Sequence, residues 1–186
     1  MRTLLALATG LFCCVALADS WRFDPVLKQH TETFGNTKIV MSIDARKNQG
    51  LPDFSVEVYA NKELRARYRG VSYQKLFASP DKSLFLGLSN DGLPGTAVVL
   101  FDKSGNLLLE VKHAAAAFDY CVQSMTRLRE WFDADNPAVK FVTDAKYGGY
   151  KSITLRDCRG NEVDLQETIS AAYGSASKRP LPPLPN

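Results

Sequence analysis

The stretch VSYQKLFASPDKSLFLGLSNDGLPGTAVVLFDKSGNLLLEVKH, residues 71–113, decides the fold. It divides into four short apolar runs: Tyr73 to Ala78, Ser83 to Ser89, Thr96 to Asp102 and Leu107 to Lys112. Ser79-Pro80-Asp81-Lys82, Gly92-Leu93-Pro94 and Asp102-Lys103-Ser104-Gly105-Asn106 separate them. These turns carry Gly, Asn, Asp and Pro where a hairpin needs a positive φ, a fixed φ or a side-chain cap. The spacing predicts a four-stranded antiparallel meander.

Working outward, the pattern repeats. Gly50-Leu51-Pro52 precedes Gly92-Leu93-Pro94 by forty-two residues, and each follows an apolar run, Ile39 to Ile43 and Leu84 to Leu88. Each is followed by two more runs, Phe54 to Tyr59 and Leu64 to Tyr68 in the first copy. A looser third copy has Val139 to Val142, a loop at Tyr147-Gly148-Gly149, then Ser152 to Leu155. Its turn Asp157-Cys158-Arg159-Gly160-Asn161 shares the D-x-x-G-N pattern of residues 102–106. A period in the low forties with four short strands per unit resembles a blade of a WD-type β-propeller, although the Trp-Asp dipeptide is absent. A generic antiparallel meander or sandwich shows the same alternation. The expectation is an all-β fold, an incomplete half propeller of about three blades, the first without a recognisable inner strand.

The matched turns of the second and third copies lie fifty-five residues apart, the excess falling between Cys121 and Pro137. One short helix is expected near residues 124–134, capped by Ser124, with Met125, Leu128, Trp131 and Phe132 on one side and Asn136-Pro137 ending it. Closed propellers typically have about four blades or more. Three leave an open wedge whose strand edges must be covered or paired by a partner, by self-association or by local capping.

Met1 to Ala18 reads as a secretory signal, with Arg2, an apolar run from Leu4 to Val15, and Ala16-Leu17-Ala18 as the cleavage site. The run is too short to span a bilayer as a helix. Cleavage after Ala18 leaves 168 residues in the periplasm, without membrane insertion; a single β domain is expected over 19–168 and a Pro-rich tail over 169–186. The tail's Arg179-Pro180-Leu181-Pro182-Pro183-Leu184-Pro185 looks like an SH3 ligand, but an exported chain does not meet such domains. Cys13 and Cys14 leave with the signal. Cys121 and Cys158 remain, and an oxidising compartment makes a disulfide the expectation; a catalytic thiol with His30 or His113 as base is the alternative.

With 45% hydrophobic and 23% charged residues the chain can bury a core. A net charge of +3 gives no electrostatic case for nucleic acid. The mature chain has no phosphate loop, dinucleotide fingerprint, H-E-x-x-H or C-x-x-C, and two distant histidines make no metal site. No catalytic residues, cofactor or metal are expected, although a dispersed pair of carboxylates leaves no sequence signature. Arg65, Arg67 and Arg69 alternate along one strand. They read as a docking stripe for an acidic partner or an anionic polymer, or as a charged edge that resists aggregation. Two sets of loops offer binding surfaces, with Ser89, Asn90 and Asp91 in one and the tip Asp102, Lys103, Ser104, Gly105 and Asn106 in the other. Each is also simply a competent turn.

An export signal, a small all-β body, one disulfide, an incomplete propeller and no catalytic set make the chain similar to periplasmic immunity proteins that neutralise type VI secretion peptidoglycan amidases. That resemblance implies no enzymatic activity. It implies a protein that binds a secreted cysteine–histidine amidase and blocks its cleft, with Ser104 or Ser89 supplying the inserted hydroxyl. A periplasmic ligand-binding or scaffolding module, self-associating as a homo-oligomer, is the second reading.

Overall fold

The computed structural model describes residues 27–46, 51–114, 118–124, 127–144 and 149–168. The expected signal at 1–18 and the tail at 169–186 lie outside the described residues. The described chain is mostly antiparallel β-structure, with one short helical stretch at 165–168. Strands β1 (Leu27–Phe34), β2 (Thr37–Asp44), β3 (Asp53–Ala60) and β4 (Glu63–Arg69) form a meander in the order β1-β2-β3-β4. Strands β5 (Lys75–Ala78), β6 (Leu84–Leu88), β7 (Thr96–Asp102) and β8 (Leu107–Lys112) form a second, in the order β5-β6-β7-β8. A short hairpin, β9 (Val122–Gln123) with β10 (Arg129–Glu130), leads into a third sheet of β11 (Lys140–Thr143), β12 (Tyr150–Arg156) and β13 (Glu162–Asp164).

The second sheet is the middle layer, and its composition says why. Leu84-Phe85-Leu86-Gly87-Leu88 is buried throughout, the near-continuous apolar run of a strand covered on both faces. Phe85, Val99 and Phe101 pack with Ile39, Val56 and Val58 of the first sheet. Leu84, Leu86, Val98 and Leu100 pack on the other side with Trp131, Phe132, Ile153 and Leu155. Each such side chain contributes roughly 1.5–3 kcal/mol when fully buried. By contrast β3 alternates, with Phe54, Val56 and Val58 buried while Ser55, Glu57 and Tyr59 look outward, as in a sheet with one covered face.

The first two sheets run the same way. The β3–β4 end of the first sheet meets the β7–β8 turn, where Val58 and Arg65 approach Gly105. The third sheet runs the opposite way. Tyr150 at the start of β12 donates to Asp81 in the β5–β6 turn at 2.6 Å. Asp157, just past the end of β12, bridges to Phe132, whose carbonyl accepts from Asn90 at the far end of the second sheet. The two D-x-x-G-N turns therefore sit at opposite ends of the molecule.

The helix expected near 124–134 is not formed in the described part of that segment. The Ser124 hydroxyl accepts from the amides of Arg127 (2.9 Å) and Leu128 (2.8 Å), closing a turn instead of starting a helix. The chain then runs extended. Arg127 and Arg129 exchange backbone bonds with Gly92 and Asn90 at 2.6 and 2.7 Å, and Trp131 accepts from Cys158 at 3.1 Å. Bonds to two different sheets outcompete the local helical ladder. Strand β1 is a fourth strand of the first sheet that the sequence pattern of the first copy does not display; its side chains are mostly exposed, so no apolar alternation marks it.

Candidate functional site

The tip between β7 and β8 is built by one aspartate. Asp102 accepts the amides of Ser104 and Asn106 on Oδ1, both at 2.8 Å, and the Asn106 side-chain amide on Oδ2 at 2.7 Å. Gly105 holds φ +90°, a conformation that side chains beyond glycine disfavour. Asp157 organises residues 157–161 with the same set of bonds, 2.9 and 2.7 Å to the amides of Arg159 and Asn161 and 3.0 Å to the Asn161 side chain.

Tyr68 pins the first tip to the neighbouring sheet by donating to the Gly105 carbonyl, and the Lys103 amide donates to Ser83 at 2.9 Å. Lys103 and Ser104 stand exposed on this fixed base. Beside them Arg65, Asn36 and Asn61 complete a depression of about 470 Å³. Arg65 pairs with Glu63 at 3.1 Å. Below the tip, desolvation pushes the Asp81 carboxyl up, but hydrogen bonds from Tyr150, Ser79 and Ser83 outweigh it and hold it well below the usual carboxylate range.

Ser89 and Asn90 do not form a second exposed tip. They are 1% and 3% exposed, and their polar atoms hold the joint between sheets. Ser89 Oγ accepts the Asp91 amide at 3.0 Å, and its carbonyl accepts Trp131 Nε1 at 2.9 Å. Asn90 bonds Phe132 and Trp131 through its side chain, and Asp91 takes a bidentate pair from Arg127. A buried hydroxyl in this setting cannot enter another protein's cleft. Gly92 packs so closely that a Cβ there would lie 2.8 Å from the Arg127 carbonyl oxygen. Asn and Gly in a loop signalled a turn in the sequence; only the partner strand, far along the chain, reveals the joint.

The arginine stripe is divided. A bulge between Val58 and Tyr59 leaves Arg67 opposite Glu57 and Arg69 opposite Ser55 on the outer face, while Arg65 lies beside Gly105 toward the second sheet. Cys121 and Cys158 form a disulfide with Cα atoms 6.0 Å apart, reinforced by an Asp119–Arg159 ion pair. This excludes the free-thiol alternative in the folded state.

His113 is buried, its Nδ1 3.1 Å from the Tyr120 hydroxyl, and its Nε2 lacks a hydrogen bond among the described residues. Burial first, and Arg129 second, push its pKa down to about 4. His30 pairs with Glu32 at 3.0 Å on the exposed strand β1. Among the described residues no three His, Cys, Asp or Glu side chains are placed to hold a metal ion, and no helix is long and apolar enough to cross a membrane. No family model, curated protein or solved structure matches the chain.

Proposed function

We propose that the chain is an exported inhibitor, a periplasmic immunity protein that blocks the cleft of a type VI secreted cysteine–histidine peptidoglycan amidase with the tip at Asp102 to Asn106. The observation that carries this reading is the contrast within that tip. Its backbone is held by Asp102 and Tyr68, while Lys103 and Ser104 remain exposed. A preorganised polar projection loses little conformational entropy on binding, and a folded hairpin resists use as a substrate strand. The incomplete-propeller reading belongs to the same proposal. The like-oriented pair of four-stranded sheets supports two blade-like units, and the reversed third sheet caps them instead of extending the rotation.

The test is amidase hydrolysis of peptidoglycan with a molar excess of the pure protein. Strong inhibition, lost when Ser104→Trp and Lys103→Glu are introduced without change in melting temperature, is the expected result. Full amidase activity in the presence of excess protein overturns the reading.

Strand β1 favours self-association as the second reading. It is an exposed edge of eight residues, and antiparallel pairing centred on His30 would set Lys28 of each copy against Glu32 of the other. Exposed edges of this length invite strand addition. Sedimentation of the pure protein separates the readings: a monomer disposes of this one.

A further inference from the structure

The outer face of the first sheet, at a distance from the tip, carries a groove of about 580 Å³. Cross-strand register builds its floor. Asp44 lies directly opposite Asp53, and Ser42 directly opposite Ser55, which has Arg69 on its other side. Glu57 opposite Arg67 forms the next row. All of these residues line the groove.

Its charges fall into two kinds. Asp44 receives a bidentate pair from Arg46 at 2.8 and 2.7 Å. Glu57 is held by the Tyr59 hydroxyl and by Arg67, both at 2.6 Å. Asp53 and Arg69, by contrast, make no side-chain hydrogen bond or ion pair among the described residues. Like charges directly opposed across strands are unfavourable. Asp44 is already engaged by Arg46, so the charge left for a ligand cation is that of Asp53, directly opposite it. An unpaired guanidinium offers a planar fork suited to a carboxylate. Between these two ends lie the hydroxyls of Ser42 and Ser55, the first already oriented by Gln29 Nε2 at 3.2 Å.

We infer that this groove binds a short peptide with both ends free. The ammonium sits at the Asp44–Asp53 pair, the carboxylate on Arg69, and the intervening peptide groups over Ser42 and Ser55. From the middle of the Asp44–Asp53 pair, one and a half strand spacings across and two residues along the strand lead to Arg69, a span of roughly 10 Å. A nearly extended tripeptide covers that length. The inference is independent of the amidase reading, since neither the tip nor its pin takes part.

The test is nuclear magnetic resonance titration of the folded protein with trialanine, alongside N-acetylated and C-amidated trialanine. Trialanine is expected to shift the amides of residues 53–55 and 69–70. Blocking either end, or introducing Asp53→Asn or Arg69→Gln, is expected to weaken binding roughly tenfold or more, about 1.4 kcal/mol per tenfold. Neither variant should lower the melting temperature, and Asp53→Asn, which removes one of two opposed carboxylates, should raise it slightly. Trialanine ending in D-alanine separates the sources of such a peptide: tighter binding than the all-L form points to cell-wall peptides, weaker or equal binding to protein fragments. No shifts at about 10 mM peptide, a regime weaker than millimolar affinity, overturn the site. So does equal binding of the end-blocked peptides or unchanged affinity in both variants.

Discussion

The Tyr68 hydroxyl stands between two peptide groups of the neighbouring sheet, donating to the Gly105 carbonyl at 2.6 Å and accepting the Leu107 amide at 2.9 Å. One phenol on β4 thereby fixes the position of the hairpin that presents Ser104. Tyr68→Phe keeps the ring on Phe101 but strands both peptide groups. The expected cost is about 1–3 kcal/mol in urea unfolding, with faster hydrogen exchange confined to residues 104–107. Unchanged exchange there would show that the tip is held without the phenol.

Tyr73 presents the opposite case. Its hydroxyl is buried without a hydrogen bond among the described residues, so Tyr73→Phe removes an uncompensated polar group. Stability is expected to stay level or rise by about 1 kcal/mol. A loss greater than that in denaturant unfolding would mean the hydroxyl has a partner.

Gly87 lies beneath the same ring. A Cβ there would meet Val99 Cγ2 at 2.6 Å and Tyr73 Cβ at 2.9 Å, both inside the packed layer between the first two sheets. Gly87→Ala is expected to cost about 1–3 kcal/mol by overpacking, visible as a lower urea midpoint. A midpoint equal to the parent's would show that the layer has room.

Acid should loosen the joint through His113. Its pKa is lowered from 6.5 to about 4, so above pH 6.5 the ring is neutral in both folded and unfolded chains. As pH falls from 6.5 toward 4 the unfolded chain takes up the proton first, and stability is lost, about 3 kcal/mol in all. His113→Phe should flatten that part of a stability–pH curve. The same slope with and without the histidine would assign the acid sensitivity elsewhere.

The disulfide closes a loop with a sequence separation of 37, for which chain entropy gives about 4 kcal/mol. Replacing Cys121 and Cys158 by alanine together should lower the unfolding free energy by an amount of this order. The third sheet should lose amide protection before the first two. Simultaneous loss of protection throughout would mean the three sheets unfold as one cooperative unit.

Much of this architecture was readable because its signals are local. Residues 71–113 display their four strands through short apolar runs and turn residues, and Asp102 and Asp157 mark equivalent turns by the same five-residue pattern. What stayed hidden depends on partners far away in the chain. Strand β1 has polar, exposed side chains and exists through its register with β2. The 124–134 segment carries apolar residues at helical spacing, yet Trp131 and Phe132 are claimed by Ser89, Asn90 and Asp157. The arginines alternate in sequence, and a single bulge opposite Val58 and Tyr59 separates Arg65 from the other two. Ser89 and Ser104 look alike in a string of letters; one is a buried fastening and the other an exposed point.

The reversal of the third sheet has a bearing on assembly. Repeats that all point the same way offer at their last face a surface like the one their first face already accepts, which is how open-ended fibres arise. Here Tyr150 meets Asp81 and Phe132 meets Asn90, so the final layer is turned head to foot. The final layer does not continue the succession of like-oriented sheets, and its outer face is not the surface on which a further like-oriented sheet would pack.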